Sequence, residues 1–112
     1  MKLKAKQSEA DFQKQIIELA KYRGWRVATF RKVRVQRKNG SVYYETPVGA
    51  DGVGWPDLFL VRGKRVIAAE LKVGNNKATV EQMQWLESLA ATGVECHVWR
   101  PSWWNVIEDV LA

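Results

Sequence analysis

Cysteine and histidine are nearly absent from this chain, and long apolar runs are missing altogether. The single cysteine, Cys96, excludes an internal disulfide and a cysteine-rich zinc site, and it suits a reducing compartment. The single histidine, His97, excludes a histidine pair on a metal, so we interpret it as structural. No apolar run approaches the roughly 20 residues that span a bilayer, and the N-terminus lacks an apolar signal-peptide core. We therefore expect a cytoplasmic protein without a membrane segment.

Positive charge, by contrast, is abundant. Of 112 residues, 18 are Lys or Arg and 12 are Asp or Glu, which gives a formal net charge of +6. A small domain this basic often contacts nucleic acid, although many basic proteins do not. With 46% hydrophobic and 27% charged residues, the chain suits one globular domain around one core. We predict a single domain over residues 1–112, with residues 1–7 as a flexible basic tail.

Residues 55–72, which we call the central hairpin, contain the clearest strand signal. Two apolar runs of strand length, residues 55–61 and 66–72, flank a short polar link and predict an antiparallel pair. Gly63 and Lys64 suit a two-residue type II′ turn, which prefers glycine first. Both faces of the pair are mostly apolar, as in the middle of a covered sheet.

This turn places two carboxylates side by side, because Asp57 falls directly opposite Glu70 in the resulting register. Like charges at such a position repel unless a cation lies between them, and Lys72 points to the same face because strand side chains alternate. Charged groups are rarely buried without partners, so the three side chains form a candidate site. The alternative is a solvent-exposed ion pair at the edge of the sheet.

A first helix is predicted over residues 9–23, with Ser8 as N-cap and Gly24 as the terminator. Its apolar face consists of Phe12, Ile16, Leu19 and Ala20. Glu9 and Gln13 extend this face towards the N-terminus. Glu9 is therefore a possible site residue, and the alternative is an ordinary acidic residue that the helix N-terminus favours.

A second hairpin is predicted from residues 25–37 and 41–47, joined by a two-residue turn at Asn39-Gly40. This turn sets Arg34 opposite Glu45. The hairpin is dense in cations and could lie along a phosphate backbone, or it could be a charged edge that prevents aggregation. The candidate DNA contacts are Arg31, Lys32, Arg34, Arg37, Lys38 and, in the loop after the central hairpin, Lys77.

The glycine-rich residues 48–54, which we call the connector, match neither a dinucleotide fingerprint nor a P-loop. Their glycines indicate a close approach to a substrate or a sharp turn into the next strand. Asp51 could be an additional metal ligand, but aspartate in such a loop more often forms a turn.

The C-terminal part predicts a helix, a strand and a second helix. Thr79 and Gln82 match a capping box, so a helix should begin there and end near residue 91. Gln82 has two interpretations: it caps the helix, or it reaches into the candidate site from a buried face. Residues 94–99 predict a third core strand, and residues 103–111 a final helix that Pro101-Ser102 caps. The residues expected to dock this last helix are Val106, Val110 and Leu111.

Gly54-Trp55-Pro56-Asp57, followed by Glu70-Leu71-Lys72, resembles the signature of PD-(D/E)xK nucleases. The chain as a whole is similar to the VRR-NUC family, especially its small stand-alone phage and bacterial members. This resemblance covers nearly all of the sequence and includes Ser8-Glu9, Gln13, and Thr79 to Gln82 with Trp85. The family commonly has a small or β-branched residue where Trp55 stands here.

The resemblance implies an α/β fold with a restriction-endonuclease-like core: a mixed central β-sheet flanked by α-helices, here with an additional basic β-hairpin. It also implies hydrolysis of DNA phosphodiesters with Mg²⁺, for which Mn²⁺ may substitute. Asp57, Glu70 and the Leu71 carbonyl would bind the metal, and Lys72 would orient or activate the attacking water. Glu9 would complete the acidic cluster, directly or through water, and Gln82 would support the site.

The family further implies a homodimeric endonuclease that prefers branched or Holliday-junction-like DNA, in a bacterial or phage-infected cell, without a small-molecule cofactor. The sequence leaves two other hypotheses open. One is a non-catalytic DNA-binding module that keeps the nuclease fold, although such a module need not retain Asp57, Glu70 and Lys72 together. The other is a basic scaffold protein, which leaves the convergent charges unexplained.

Overall fold

The computed structural model describes residues 7–30 and 33–112. These residues form a mixed α/β fold whose central sheet contains both parallel and antiparallel strand pairs. Within these residues there are three α-helices, one short 3₁₀ helix and two sheets. In chain order the elements are α1 (Glu9–Tyr22), β1 (Arg26–Thr29), β2 (Val33–Gln36), β3 (Val42–Glu45), β4 (Leu58–Arg62), β5 (Arg65–Leu71), α2 (Val80–Ala91), β6 (Glu95–Trp99), the 3₁₀ turn (Pro101–Trp103) and α3 (Trp104–Leu111).

The central hairpin forms β4 and β5, the two inner strands of a four-stranded sheet with the order β1-β4-β5-β6. Its predicted register is confirmed, because Leu58 pairs with Ala69 and Arg62 with Arg65. The turn is of the expected type, since Gly63 has a φ of +58° and Lys64 has no positive φ. The last strand, β6, lies parallel to β5, as the crossover through α2 requires.

One face of this sheet packs against α1 and α3 to form the main core. Ser8 caps α1 by accepting a hydrogen bond from the Asp11 N–H at 3.1 Å, as predicted. The core residues include Phe12, Ile16, Ala20, Leu58, Leu60, Ile67, Leu71, Ile107 and Leu111. Because side chains alternate along β5, Glu70 points away from this core, towards the face on which α2 lies.

The predicted strand over residues 25–37 is wrong in its continuity. Its first part, β1, pairs with β4 in the central sheet, whereas β2 pairs with β3 in a separate two-stranded sheet. The β1 ladder ends where Thr29 pairs with Leu58. Pro56 lies two residues before β4 and has no N–H that could donate to a neighbouring strand.

The register of the second hairpin is also wrong, by one residue, because Arg34 pairs with Tyr44 instead of Glu45. A two-residue type I′ turn needs positive φ at both Asn39 and Gly40, and only Gly40 has it, at +88°. The Gly40 N–H donates to the Arg37 carbonyl at 2.9 Å, and the Asn39 side chain accepts from the Ser41 N–H at 3.0 Å. The loop is therefore three residues long, with glycine in the last position.

We call β2, β3 and their loop the basic arm. None of residues 34–36 and 42–45 is buried, and Tyr44 is 64% exposed. The radius of gyration is 15.5 Å, against about 13 Å for a compact chain of this length. The arm therefore adds an exposed surface to the domain and contributes little to its core.

The C-terminal helices are placed nearly as expected. The strand β6 and the bounds of α2 agree with the prediction within a residue or two. The predicted cap of the last helix is wrong: Pro101 begins a 3₁₀ turn without a side-chain cap, because proline presets φ but offers no acceptor. Val106 is 52% exposed and does not dock α3, whereas Ile107, about 100° further around the helix, is buried. No helix in residues 7–30 and 33–112 combines the length and apolar character needed to cross a membrane.

Candidate functional site

The central hairpin brings Asp57 and Glu70 together at one end of the sheet. Asp57 immediately precedes β4, whose first pair joins Leu58 to Ala69, so the next position outwards is Asp57 on one strand and Glu70 on the other. The Asp57 carboxylate is held in place by the strand itself, because Oδ2 accepts a hydrogen bond from the Leu71 N–H at 2.8 Å. The predicted juxtaposition of two carboxylates is confirmed, and its source is the turn at the far end of the hairpin.

Glu70 is the one charged residue that is buried among the described residues, with 1% exposure. Its Oε1 atom accepts a hydrogen bond from Gln82 Nε2 at 3.0 Å and lies 3.9 Å from Lys72 Nζ. Its Oε2 atom is buried and has no hydrogen-bond partner. An unsatisfied buried acceptor costs roughly 1–3 kcal/mol, more when it is charged, so this oxygen needs an explanation.

The surroundings of Glu70 favour its protonated form. Burial is the largest cause, and the neighbouring Asp57 carboxylate adds to it, so that the pKa of the Glu70 carboxyl is raised to about 9. Glu9 raises this pKa further, whereas the ammonium group of Lys72 lowers it. Two facing carboxylates, one of them buried, therefore hold a proton in the absence of another cation.

Gln82 satisfies both of the interpretations that the sequence left open. Its Oε1 accepts from the Thr79 N–H at 2.8 Å, and its own N–H donates to Thr79 Oγ1 at 3.1 Å, which completes the capping box. The same side chain donates from Nε2 to Glu70 Oε1 at 3.0 Å. The amide oxygen thus fixes the start of α2 while the amide nitrogen reaches the buried carboxylate.

Gly54 brings the connector against the first turn of α2. A Cβ atom at this position would lie 2.6 Å from the Glu81 carbonyl carbon and 2.8 Å from the Gln82 nitrogen, and the residue has a φ of +90°. Gly54 therefore makes a close backbone approach to a helix. Trp85 reinforces the contact, because its Nε1 donates to the Asp51 carbonyl at 2.9 Å. These contacts fix the connector, which leads into Asp57, against the helix that carries Gln82.

These side chains line one cleft of about 540 Å³, which we call the acidic cleft. Its floor is formed by Glu9, Asp57, Glu70, Lys72 and Gln82, all five of the side chains expected at the site. Helix α1 contributes Glu9 from its first turn, next to the cap at Ser8. Lys72 is only 12% exposed, so its ammonium group is directed into the cleft and not to bulk water.

The chemistry of this donor set suits a hard divalent cation. Carboxylate oxygens are the ligands that Mg²⁺ and Mn²⁺ prefer, and the unpartnered Glu70 Oε2 is an available donor beside Asp57. Within the described residues, no group of three or more Asp, Glu, His or Cys side chains is already gathered as a metal cluster. The candidate set is therefore the two carboxylates, with backbone carbonyl or water oxygens for the remaining positions, as Mg²⁺ usually has.

The candidate DNA contacts lie apart from the acidic cleft. Arg34, Arg37 and Lys38 are exposed on the basic arm, and the guanidinium of Arg37 lies over the Tyr43 ring at 4.5 Å from its centroid. Lys77 is exposed in the loop after β5. Arg31 and Lys32 lie outside the described residues.

Two other expectations concern single residues. Asp51 is exposed on the connector, and its backbone carbonyl is bound by Trp85, which fits a turn-forming role. His97 Nε2 donates a hydrogen bond to Glu95 Oε2 at 2.9 Å, and the imidazole stacks on Trp99 with ring centroids 5.4 Å apart. Both contacts agree with the structural interpretation of His97.

Phe30 also lines the acidic cleft, with Pro47 and Val48, and the sequence did not indicate any of them. Phe30 follows Thr29, the last residue of β1, which pairs with Leu58. It therefore lies next to Asp57 across the β1–β4 boundary. The missing signal was the pairing of β1 with β4, which joins two segments that are far apart in sequence.

Comparison with protein-family models, with curated proteins and with solved structures finds no match to this chain.

Proposed function

We propose that this chain is a metal-dependent DNA endonuclease of the VRR-NUC type, with a restriction-endonuclease-like core. One observation carries the proposal: the buried Glu70 carboxylate has an oxygen without a partner and lies in one cleft with Asp57 and Lys72. Folding a carboxylate into this position opposes stability unless a ligand compensates for it. Buried titratable groups with strongly shifted pKa values cluster at functional sites, because catalysis and ligand binding depend on those shifts.

Asp57 and Glu70, together with the Leu71 carbonyl, would hold Mg²⁺ or Mn²⁺. When bound, the ion supplies positive charge to the scissile phosphate and favours the ionisation of water. Each protein group then has a defined task. Gln82 donates to Glu70 Oε1 and so orients the carboxylate, while the Leu71 N–H orients Asp57. Both donors leave one carboxylate oxygen available to a ligand.

Lys72 is the protein group that would stabilise the negative charge that develops on the phosphate during cleavage. Its ammonium group lies 3.9 Å from Glu70 Oε1 at the floor of the cleft, where it can donate to a phosphate oxygen or to the attacking water. A fixed and largely buried cation stabilises the charge that develops in the transition state more than a cation in bulk water does. Glu9, which lines the same cleft, would accept a hydrogen bond from water that surrounds the ion.

DNA is the proposed substrate because of the charge on the rest of the chain. The net charge of +6 and the exposed Arg34, Arg37 and Lys38 of the basic arm provide contacts for a phosphate backbone. An exposed basic arm outside the cleft favours branched DNA over a simple duplex, since it could follow a second duplex or strand. We propose action on such DNA in the cytoplasm.

A homodimer is the proposed active assembly. Its support is apolar exposure on α3 and on the 3₁₀ turn before it, where Trp103 and Val106 are 47% and 52% exposed. Apolar side chains that lie together at a surface favour association with a partner, and a two-fold dimer would present two sites to two strands. Sedimentation velocity tests the proposal: Val106→Glu should shift a dimer towards monomer, whereas a wild-type monomer at micromolar concentration would contradict it.

The nuclease proposal is tested by incubating the protein with supercoiled plasmid and with a synthetic four-way junction, in Mg²⁺, Mn²⁺ or EDTA. Wild type should cleave with either metal and not in EDTA. Lys72→Ala should lower the cleavage rate by about 10²-fold or more. Lys64→Ala, which removes an exposed lysine from the β4–β5 turn, is the matched control and should cleave as wild type does.

The same experiment separates the rival function. If wild type and Lys72→Ala both bind DNA but neither cleaves it with any metal, the chain is a DNA-binding module that keeps the fold without the activity. Equal cleavage by both would assign the activity to a contaminating nuclease.

A further inference from the structure

The acidic cleft has a second wall that metal and phosphate chemistry do not explain. Above the charged floor, the cleft is lined by Phe30, Trp55, Pro47, Val48 and Val53. Phe30, Val48 and Val53 are all more than 40% exposed, so this wall is open to solvent. Phosphate oxygens gain nothing from apolar surface, and exposed apolar side chains favour an apolar or aromatic ligand.

We use the name aromatic wall for Phe30 and Trp55, which line the cleft, together with two rings that pack against them outside it, Phe59 and Trp85. Trp55 stacks on Phe59, with centroids 4.9 Å apart and planes at 24°. Trp85 meets Trp55 edge-on at 4.6 Å, and Phe30 meets both Trp55 and Phe59 edge-on at 6.3 Å. These are the favourable geometries for aromatic pairs, and each ring fixes the orientation of the next.

The wall is also held by its backbone. Trp55 donates its N–H to the Gly52 carbonyl at 3.1 Å, and Trp85 is tied to the connector through its bond to Asp51. Phe59 lies on the inner strand β4. A surface of rings that is rigid before a ligand arrives loses little conformational entropy on binding, as a stacking surface requires.

The position of the wall relates it to the cleavage site. Trp55 is two residues from Asp57, and Phe30 lies next to Asp57 across the β1–β4 boundary. A group on the wall is therefore a neighbour of a phosphate on the floor. In a nucleic acid, the apolar group next to a phosphate is the base of an adjoining nucleotide, and every base has a π-face that can stack on an aromatic ring.

We propose that the aromatic wall binds an unpaired nucleobase next to the scissile phosphate, with Phe30 as the exposed ring that the base contacts. The inference rests on the proposed nuclease function and names its substrate class: DNA with unpaired nucleotides at the cleavage position, such as a gap, a flap or the open centre of a junction. In an intact duplex both faces of a base are covered by its neighbours, so the wall discriminates against duplex DNA.

Phe30→Leu is the informative variant, because Phe30 is 45% exposed and its loss leaves the packed pair of Trp55 and Phe59 in place. Phe30→Tyr keeps the ring and is the conservative counterpart. Tyr22→Leu is the matched control, since Tyr22 is an aromatic residue on α1 with 87% exposure that does not line the cleft. All three are made in the Lys72→Ala background, so that binding is measured without cleavage.

Binding is measured by fluorescence with oligonucleotides that carry 2-aminopurine at one position, either in a one-nucleotide gap or fully paired. We expect quenching of the unpaired probe on binding, and tighter binding of the gapped DNA than of the duplex. Phe30→Leu should reduce this gap preference about tenfold and weaken the quenching, while Phe30→Tyr and Tyr22→Leu retain both.

An unchanged gap preference in Phe30→Leu, or no quenching in any protein, would overturn the inference. So would a change in oligomeric state on sedimentation of Phe30→Leu, since the wall would then be covered by a second copy of the chain. The proposed function fails separately: absence of cleavage by the wild-type protein refutes the nuclease while base binding stands. Cleavage of duplex and gapped DNA at equal rates refutes the base-binding wall alone.

Discussion

The central hairpin and the basic arm carry similar sequence signals, yet only one of them has the expected register. Each has two strand-like runs around a glycine-containing turn. In the central hairpin, one face of β4 and β5 is buried in the core, and a slip by one residue would expose that whole face. In the arm, none of residues 34–36 and 42–45 is buried, so only the turn sets the register. A strand register can therefore be predicted from sequence where one face of the strand is buried.

The same difference separates two kinds of functional surface. The central hairpin holds Asp57 and Glu70 in a fixed arrangement, and the packed core offsets the cost of the buried charge. The arm presents cations on a thin, exposed two-stranded sheet, which is marginally stable by itself. We infer that the cleft determines the chemistry and that the arm adapts to the shape of the DNA.

The largest contrast is expected between two glycines with almost equal φ. Gly54→Ala places a methyl group against the first turn of α2, within 2.8 Å of the Gln82 nitrogen, whereas a Cβ atom at Gly40 in the arm would meet no atom within 4 Å. Both alanines are strained by positive φ, at about 1–2 kcal/mol, and only Gly54→Ala adds a clash with backbone. We expect losses in unfolding free energy of about 3 kcal/mol for Gly54→Ala and about 1 kcal/mol for Gly40→Ala in urea titrations. Equal losses would contradict the close approach.

A second contrast concerns the buried and the exposed glutamate. In the absence of divalent cations, Glu70→Gln should raise the unfolding free energy at pH 8 by about 2 kcal/mol, because the amide needs no ionisation or proton uptake. Glu45→Gln in the arm removes an exposed charge and should change stability by no more than about 0.5 kcal/mol. A marked loss of stability in Glu70→Gln would mean that the carboxylate supports the fold and not a ligand.

The dependence of stability on pH gives a smaller effect with a defined sign. The pKa of Glu70 is raised from its ordinary 4.5 to about 9 in the folded protein, so the folded state keeps a proton that the unfolded chain releases. This contribution is fully present below pH 4.5 and is lost as the pH rises towards 9. Bound Mg²⁺ prefers the ionised carboxylates, so its stabilising effect should increase with pH.

Thermal unfolding with Mg²⁺ and with EDTA measures this dependence. The metal-induced rise in midpoint should be larger at pH 8 than at pH 5 and should correspond to about 1–3 kcal/mol at saturating metal. Glu70→Gln should abolish most of it. A rise that is larger at pH 5, or that persists in Glu70→Gln, would place the cation elsewhere.

Substitutions in the basic arm should have the smallest effect on stability, and their effect should instead appear in DNA binding. Arg34→Ala and Lys38→Ala should each leave the unfolding free energy within about 0.5 kcal/mol of wild type. If each side chain contacts a phosphate, the slope of log Kd against log salt should fall by about 1 per substitution. Lys64→Ala, on the β4–β5 turn, should leave the slope unchanged. Equal slopes in all three variants would remove the arm from the DNA contacts.

Much of the candidate site could be predicted because its positions follow local rules. The type II′ turn at Gly63 fixes the pairing of Asp57 with Glu70, and the capping box fixes the side-chain direction of Gln82. The helix N-cap at Ser8 likewise places Glu9 in a first turn. Each of these rules acts over a few residues, and each agrees with the apolar pattern around it.

The remaining features depend on contacts between distant segments. The pairing of β1 with β4 brings Phe30 to the cleft, and no local signal at residue 30 indicates it. The contact of Gly54 with α2 likewise needs the position of the whole helix. On α3, the predicted docking residue Val106 and the buried Ile107 lie about 100° apart around the helix. An apolar pattern only two turns long does not resolve which of the two faces the core.

The central claim is that the buried carboxylate pair is a site for a divalent cation. Calorimetric titration of Mn²⁺ into wild type and Glu70→Gln at pH 8 tests it most directly, without requiring DNA or cleavage. We expect saturable binding by the wild-type protein and a loss of affinity of at least about tenfold in Glu70→Gln. Absence of binding by wild type, or equal binding by both proteins, would contradict it.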